Sequence, residues 1–147
     1  MSIVGATAGE LLARMDRGDI SSEEITSAYL DVITQHDEHV HAFVYVDREA
    51  ALAAAREVDR KRRADEPLGL LAGLPVAVKD VLCTRGVRTT CCSRMLENFV
   101  PPYDAHAITL LRDADTVLIG KTNMDEFAMG SSTEHSYFGT TRNPWDL

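Results

Sequence analysis

The sequence predicts an α/β fold in which N-terminal helices are followed by a strand–helix–strand unit. Two observations predict this fold. Up to residue 66, apolar residues recur at helical spacing behind polar capping patterns. From residue 67 onward, short apolar runs alternate with an amphipathic segment, which is typical of parallel strands joined by a crossover helix. We therefore expect a single domain over residues 1–147, helical over 1–66 and α/β over 67–147.

Three helices are predicted in the first part of the chain from the signals at their ends. Thr7–Glu10 forms a capping-box pattern that opens the first helix, and Gly18 is placed to end it. Ser21–Glu24 repeats the pattern ahead of a second amphipathic helix. Asp47 is expected to cap an alanine-rich third helix that ends near Ala64.

Three short strands are predicted. Residues 42–46 are rich in β-branched and aromatic types, and the run GLPVAVKD, residues 73–80, is typical of a strand buried on both faces. Residues 116–119 form the last strand, after a helix that Asp104 is expected to cap. Because the parallel strands of a right-handed βαβ unit end at one edge of the sheet, the strand 73–80 should end beside a loop that begins with residues 120–123.

Lys79 ends the strand 73–80 at a position where turn residues are the rule. Lysine is rarely fully buried unless it is paired, and desolvation favours the neutral amine, which can accept a proton. Lys79 is therefore a candidate general base at the carboxyl edge of the sheet. The alternative is an ordinary strand-end lysine that extends into water or pairs with Asp80.

The segment after the last predicted strand carries two local patterns. Residues 120–122 are similar to the tail of a phosphate-binding P-loop, but Asp115 stands where that motif needs a glycine, so a P-loop is not favoured. Asn123 is expected to cap a short helix in which Glu126 follows three residues later and Phe127 is buried.

A serine-rich loop follows this short helix. A lysine nearby could deprotonate Ser131 or Ser132, which would form a Ser-Lys dyad with Lys79. Such chemistry needs a hydroxyl within about 3 Å of the amine, and the sequence offers no sign of that proximity. A polar turn that lines a pocket is the favoured interpretation.

Composition and charge exclude several classes of function. The net charge of −8 and the pI of about 5.0 argue against a broad nucleic-acid surface. The basic run Arg60–Arg63 is expected to complement a helix C-terminus on a solvated face. Cys83, Cys91 and Cys92 match neither a disulfide framework nor a zinc site, and we expect them to be structural. No membrane segment is visible, so a cytoplasmic protein is expected. No spacing of metal-ligating residues is visible either, so no metal site is expected.

Four stretches of the chain together resemble the amidase signature enzymes. They are GLPVAVKD (73–80), RTTCCSRMLENFVPPYDA (88–105), GKTNMDEFAMGSSTE (120–134) and TRNPWDL (141–147). The resemblance covers nearly the whole chain from about Thr7. MLENFVPPYDA and TNMDEFAMGSSTE make it strongest for the A subunits of glutamyl-tRNA(Gln)/aspartyl-tRNA(Asn) amidotransferases. GLPVAVKD alone would indicate only the wider family, which acts on small amides, peptides and lipids.

The resemblance implies hydrolysis of glutamine by a Ser-cis-Ser-Lys triad, followed by delivery of ammonia to companion subunits. Lys79 matches the lysine of the triad, and Ala128, Met129, Gly130 and Ser131 match the family's substrate-side loop. No cofactor is implied on this chain, whereas a companion subunit would use ATP and Mg. The implied partners are glutamine as amide donor, subunits B and C, and tRNA indirectly through the partner subunit, with no membrane.

The chain also departs from the pattern of the family. Both catalytic serines of the family follow the motif RNPWDL, so neither corresponds to Ser131 or Ser132, and the oxyanion loop is missing too. We therefore expect the first βαβ part of a mixed, helix-covered sheet, incomplete at the C-terminus, and no activity of the 147 residues alone. Asp115 replaces a usual glycine but tolerates a left-handed turn. A small-molecule amidase and a non-catalytic assembly module are the alternatives.

Overall fold

The computed structural model of this chain describes residues 2–146 and confirms the α/β fold. A short 3-10 turn lies at Arg94–Leu96 and another at Glu126–Ala128. In chain order, the helices are α1 (Ala8–Asp16), α2 (Ser22–Val40), α3 (Arg48–Arg63) and α4 (His106–Asp113), and the strands are β1 (Phe43–Tyr45), β2 (Pro75–Lys79) and β3 (Val117–Thr122).

The helix starts predicted at Thr7, Ser21 and Asp47 are confirmed by their hydrogen bonds. The Thr7 hydroxyl accepts from the amide of Glu10 at 3.2 Å, while the Glu10 carboxylate accepts from the amide of Thr7 at 2.8 Å. Ser21 and Glu24 make the same reciprocal pair. Asp47 accepts from the amide of Ala50 at 2.9 Å and so caps α3. These bonds satisfy amides that have no partner inside the helix.

The three strands form one sheet in the order β1-β3-β2, with β1 antiparallel to β3. The amide of Val117 donates to the carbonyl of Leu74 at 2.8 Å, and the amide of Asp80 donates to the carbonyl of Thr122 at 3.1 Å. The first bond joins the start of β2 to the start of β3, and the second joins their ends, so the two strands are parallel, as predicted.

Strand β3 is longer than predicted. It runs through Thr122, so residues 120–122 are strand and not the start of a loop. Gly120 explains the difference, because a Cβ there would lie 2.7 Å from the carbonyl oxygen of Tyr45. The absence of a side chain lets β1 approach and extend the ladder.

The prediction that residues 73–80 form a strand buried on both faces is wrong. Val78 is buried, whereas Ala77 and Lys79 are exposed. Ala77 and Lys79 share one face of β2, and that face is open to solvent in residues 2–146, whereas Val78 lies on the opposite face. Side chains alternate between the two faces of a strand, so exposure alternates as well.

The described residues divide into two compact units that interleave along the chain. Unit 1 comprises residues 2–33, 47–76 and 110–119, and unit 2 comprises 34–46, 77–109 and 120–146. The core of unit 1 is apolar and formed by Leu11, Met15, Ile20, Ile25 and Leu74.

Two carboxylates organise unit 1. Asp59, on α3, is buried and accepts hydrogen bonds from the amides of Ser22 at 2.8 Å and Glu23 at 3.0 Å, so it caps α2 from another helix. Asp115 has a φ of +56°, which confirms that the turn before β3 survives without glycine. Its carboxylate accepts from the amide of Gly69 at 2.7 Å and binds Lys61 at 2.9 Å.

The basic run at the end of α3 is engaged in ion pairs within unit 1. Arg60 contacts both Glu57 and Glu66, at 2.8 and 2.7 Å. Arg62 pairs with Asp16 at 2.6 Å. Three of the four cations of the run, Arg60, Lys61 and Arg62, are therefore paired, whereas Arg63 is exposed.

Candidate active site

The candidate site lies in unit 2, where β2 ends and the chain leaves β3. A cavity of about 190 Å³ opens there. Its lining contains Lys79 and three of the four residues predicted for the substrate-side loop. Met129, the fourth, lies outside this lining and is 73% exposed. The lining residues are Lys79, Asn123, Met124, Asp125, Ala128, Gly130, Ser131 and Thr133.

The prediction of an enclosed amine at Lys79 is wrong for residues 2–146. Lys79 is exposed, and its amine makes no hydrogen bond or ion pair within the part of the chain that the structure describes. Its predicted location beside the segment that follows β3 is confirmed by the shared cavity. Of the two forms of the alternative, a lysine that extends into water is confirmed by the exposure of Lys79, whereas a pair between Lys79 and Asp80 is wrong. Asp80 pairs instead with Lys121, at 3.4 Å.

Lys121 is the buried lysine of this region, with only 2% of its surface exposed. Its Nζ donates to the carbonyl of Leu82 at 2.9 Å and to Oγ1 of Thr89 at 2.7 Å. Burial lowers the pKa of Lys121, and the neighbouring Asp80 carboxylate opposes that shift. Sequence reasoning missed this side chain. The period-two pattern that buries Val117 and Ile119 would have placed Lys121 inward.

Asp80 holds the turn that carries the adjacent cysteines. Its Oδ2 accepts from the amide of Thr90 at 3.0 Å, from the hydroxyl of Thr90, and from the amide of Cys92 at 3.4 Å. Cys91 and Cys92 both have left-handed backbones, with φ of +51° and +50°. Burial raises the pKa of each thiol. These thiols are therefore poor nucleophiles at neutral pH, as the structural interpretation requires.

Asn123 is not the helix cap that the sequence predicts. The short turn Glu126–Ala128 begins after Asp125, and Phe127 is 39% exposed with a φ of +51°. The amide group of Asn123 instead ties together separate segments of unit 2, which explains why it is unavailable for capping. Its Nδ2 donates to the carbonyls of His41 (3.2 Å) and Gly139 (2.8 Å) and to Thr141 Oγ1 (3.0 Å), and its Oδ1 accepts from Ser136 Oγ (2.6 Å).

The serine loop does not form a dyad with Lys79 in this structure. The Ser132 hydroxyl donates to the carboxylate of Glu134 at 2.8 Å. Ser131 lines the cavity together with Lys79, but no hydrogen bond joins the two within residues 2–146. The favoured interpretation, a polar turn that lines a pocket, agrees with this geometry.

Residues 2–146 contain neither a membrane-spanning helix nor a metal-binding cluster nor a disulfide. None of their helices has the length and apolarity needed to cross a bilayer. No group of three or more His, Cys, Asp or Glu side chains in this part is arranged to hold a metal ion. The thiols of Cys83, Cys91 and Cys92 are free.

The fold that carries this site is that of a known protein family. The family model named Amidase matches residues 24–147, and the chain belongs to the amidase family. Among solved structures, a peptide amidase from Stenotrophomonas maltophilia superposes with a TM-score of 0.87 at 34% identity, covering 97% of this chain and 30% of its own. A bacterial aryl acylamidase superposes with a TM-score of 0.89 at 28% identity, covering 97% of this chain and 30% of its own.

Within the family, the chain is similar to the A subunits of glutamyl-tRNA(Gln) amidotransferases. The protein of that name from Salinispora arenicola is 59% identical over 145 residues, which are 99% of this chain and 30% of the relative. The crystal structure of the corresponding protein from Thermotoga maritima superposes with a TM-score of 0.77 at 37% identity, covering all of this chain and 29% of its own. The chain thus spans about 30% of the length of the curated relatives it matches.

Proposed function

We propose that this chain is part of the glutamine-hydrolysing subunit of a tRNA-dependent amidotransferase and contributes Lys79 as the proton acceptor of its amidase site. One observation carries the proposal. Lys79 ends β2 on the wall of the cavity that Ala128, Gly130 and Ser131 also line, in a chain 59% identical to its counterpart in the Salinispora arenicola amidotransferase. The proposed activity also needs residues of the complete subunit outside residues 1–147, because the relatives are about three times longer than this chain.

The proposed chemistry is amide hydrolysis by a Ser-cis-Ser-Lys triad. A serine hydroxyl attacks the side-chain amide carbon of glutamine, and its proton passes through the bridging serine to the amine of Lys79. The C–N bond then breaks, and the NH2 group leaves as ammonia with the proton that Lys79 returns through the bridging serine. Water releases glutamate from the acyl-enzyme. Because desolvation favours the neutral amine, the proposal requires that residues outside this chain cover Lys79 in the complete enzyme.

The remaining roles are proposed for partners. Ammonia passes to companion subunits B and C, where ATP and Mg activate the misacylated tRNA, either Glu-tRNA(Gln) or Asp-tRNA(Asn). The tRNA is contacted by the partner and not by this acidic chain, whose net charge of −8 disfavours phosphate binding. Ligase activity therefore belongs to the assembled complex.

A grafted subunit tests the proposal. Residues 1–147 would replace the matching segment of the Salinispora arenicola protein, which is 59% identical. With the companion subunits of that organism, the graft is expected to release ammonia from glutamine. Lys79→Met should lower the rate by about 10³-fold or more, since it removes the proton acceptor. Lys61→Met, which changes a lysine of unit 1, is the matched control and should retain activity.

Two outcomes contradict the proposal. If an active graft keeps its rate of ammonia release after Lys79→Met, Lys79 is not the proton acceptor. A graft that hydrolyses small amides but not glutamine would favour the small-molecule amidase alternative. The 147 residues alone are expected to show no glutamine turnover, because Ser132 bonds to Glu134 and Ser131 makes no bond to Lys79.

A further inference from the structure

The loop that borders Lys79 is held by a single carboxylate. Asp125 is only 4% exposed. Its Oδ2 accepts from the amides of Ser132 at 3.0 Å and Thr133 at 2.9 Å, and its Oδ1 accepts from the amide of His135 at 2.9 Å. Three amides of one loop thus converge on the two oxygens of one side chain. The loop cannot move away without leaving this carboxylate short of donors.

The position of Asp125 in the chain shows which segment its carboxylate serves. Asp125 immediately precedes the turn Glu126–Ala128, where an aspartate ordinarily accepts from an amide of that turn. Its side chain makes no such bond. Both oxygens are directed at the amides of residues 132–135 instead. The carboxylate therefore holds the loop and does not cap the turn.

Gly130 permits the close approach between the loop and Asp125. A Cβ built at Gly130 would lie 2.4 Å from Cγ and 2.5 Å from Oδ2 of Asp125. Any side chain at this position would push the loop off the carboxylate. Ser131 lies between Gly130 and Ser132, both of which lie against Asp125, and it lines the cavity together with Lys79.

We propose that Asp125 is the positioning residue of the candidate site, since it fixes the 130–135 loop, and Ser131 with it, as the wall that faces the cavity of Lys79. The proposal deepens the proposed function, because it assigns a role at the same site. It requires no contact between Asp125 and the reacting atoms.

The protonation state of Asp125 favours a persistent anchor. The amides of His135 and Thr133 lower the pKa of the carboxyl, burial opposes them, and the amide of Ser132 and the charge of His135 add to the lowering. The carboxylate is therefore ionised throughout the neutral range. An asparagine at this position offers one accepting oxygen in place of two, so it cannot reproduce the three bonds.

Hydrogen exchange followed by NMR on the 147-residue chain tests the anchor without any assay of activity. Asp125→Asn is expected to accelerate exchange at Ser132, Thr133 and His135 by about tenfold or more, while the amides of β3 are unchanged. Glu134→Gln is the matched control. It neutralises a carboxylate of the same loop that accepts only the Ser132 hydroxyl, and exchange should stay within about twofold of wild type.

Several results would overturn the proposal. They are unchanged exchange in Asp125→Asn, an equal acceleration in the control, or an acceleration that extends to β3. Should the variant fail to fold, the wild type decides. In the wild type, the amide proton chemical shifts of Ser132 and Thr133 must follow one common titration, that of the Asp125 carboxyl, with a midpoint below the usual pKa of aspartate. Independent or absent titration refutes the anchor.

The grafted protein separates this proposal from the proposed function. Asp125→Asn is expected to lower kcat/KM for glutamine by about tenfold to a hundredfold, because small displacements of a substrate-positioning wall are costly. Restoring the carboxylate with Asp125→Glu should recover part of the loss, whereas Glu134→Gln should have no effect. A graft without any activity would contradict the proposed function, while the exchange result would stand.

Discussion

The buried lysine of unit 2 provides the sharpest test of how this part of the molecule is held together. Lys121→Met replaces the side chain by an apolar one of similar length, so little cavity is created. The variant leaves the fully buried Asp80 without its cation and the hydroxyl of Thr89 without a donor, while the carbonyl of Leu82 keeps the bond from the Thr84 hydroxyl. Removing one partner of a buried ion pair costs about 3–5 kcal/mol.

We expect the lower end of that range for Lys121→Met, about 3 kcal/mol, since Asp80 keeps the bonds from Thr90 and Cys92. For a chain of this size the loss corresponds to a fall in Tm of roughly 10 °C. Urea unfolding followed by circular dichroism measures it. Lys79→Met is the matched control, because Lys79 is exposed and unpaired among residues 2–146, and it should change stability by less than about 0.5 kcal/mol.

A loss below about 1 kcal/mol for Lys121→Met, or an equal loss in the control, would refute this reasoning. If the single variant does not fold, the double variant Lys121→Met with Asp80→Asn gives the answer. It removes both charges together and should be more stable than Lys121→Met alone, because the unpaired buried charge is gone. A double variant less stable than the single one contradicts the ion-pair explanation.

Two further predictions concern the turn before β3 and the buried thiol. Asp115→Ala should lower the free energy of unfolding, measured in urea, by about 2 kcal/mol, because alanine is strained in the left-handed conformation and the bond to Gly69 is lost. Asp115→Asn should lower it clearly less. Burial raises the pKa of Asp115, but Lys61 and the Gly69 amide outweigh it. Its contribution is therefore present above about pH 4 and lost as the pH falls further, which Asp115→Asn would not show. Cys92, fully buried with a raised pKa, should resist a thiol reagent until unfolding, and modification at the rate of Cys83 would contradict its burial.

Local patterns made the helices and most of the sheet predictable. The capping boxes at Thr7 and Ser21 act between residues three apart, so the sequence contains both partners of each bond. The capping of α2 by Asp59 could not be predicted in this way, since 37 residues separate Asp59 from Ser22. The same holds for Asn123, whose partner His41 lies 82 residues away.

The candidate site was predictable only in part for a related physical reason. Lys79 could be singled out because it ends an apolar run, but its burial depends on which strand lies at the edge of the sheet. That order is a property of the pairing and not of the run itself. The neighbour of β2 is β3, and β3 contributes the lysine that is buried. Sequence therefore identified the correct edge of the sheet and assigned the burial to the wrong lysine.

The lowered pKa of Lys121 means that the fold stabilises the neutral amine relative to the ammonium. Below the unfolded pKa the unfolded chain binds more protons than the folded one, so this group opposes folding there and ceases to do so as the pH rises toward about 10. Burial causes this cost, and the pair with Asp80 reduces the cost without cancelling it. A shift of β3 by one residue would remove Lys121 from Leu82, Thr89 and Asp80 together and leave the carboxylate buried alone. The pair therefore penalises a shifted register of β3.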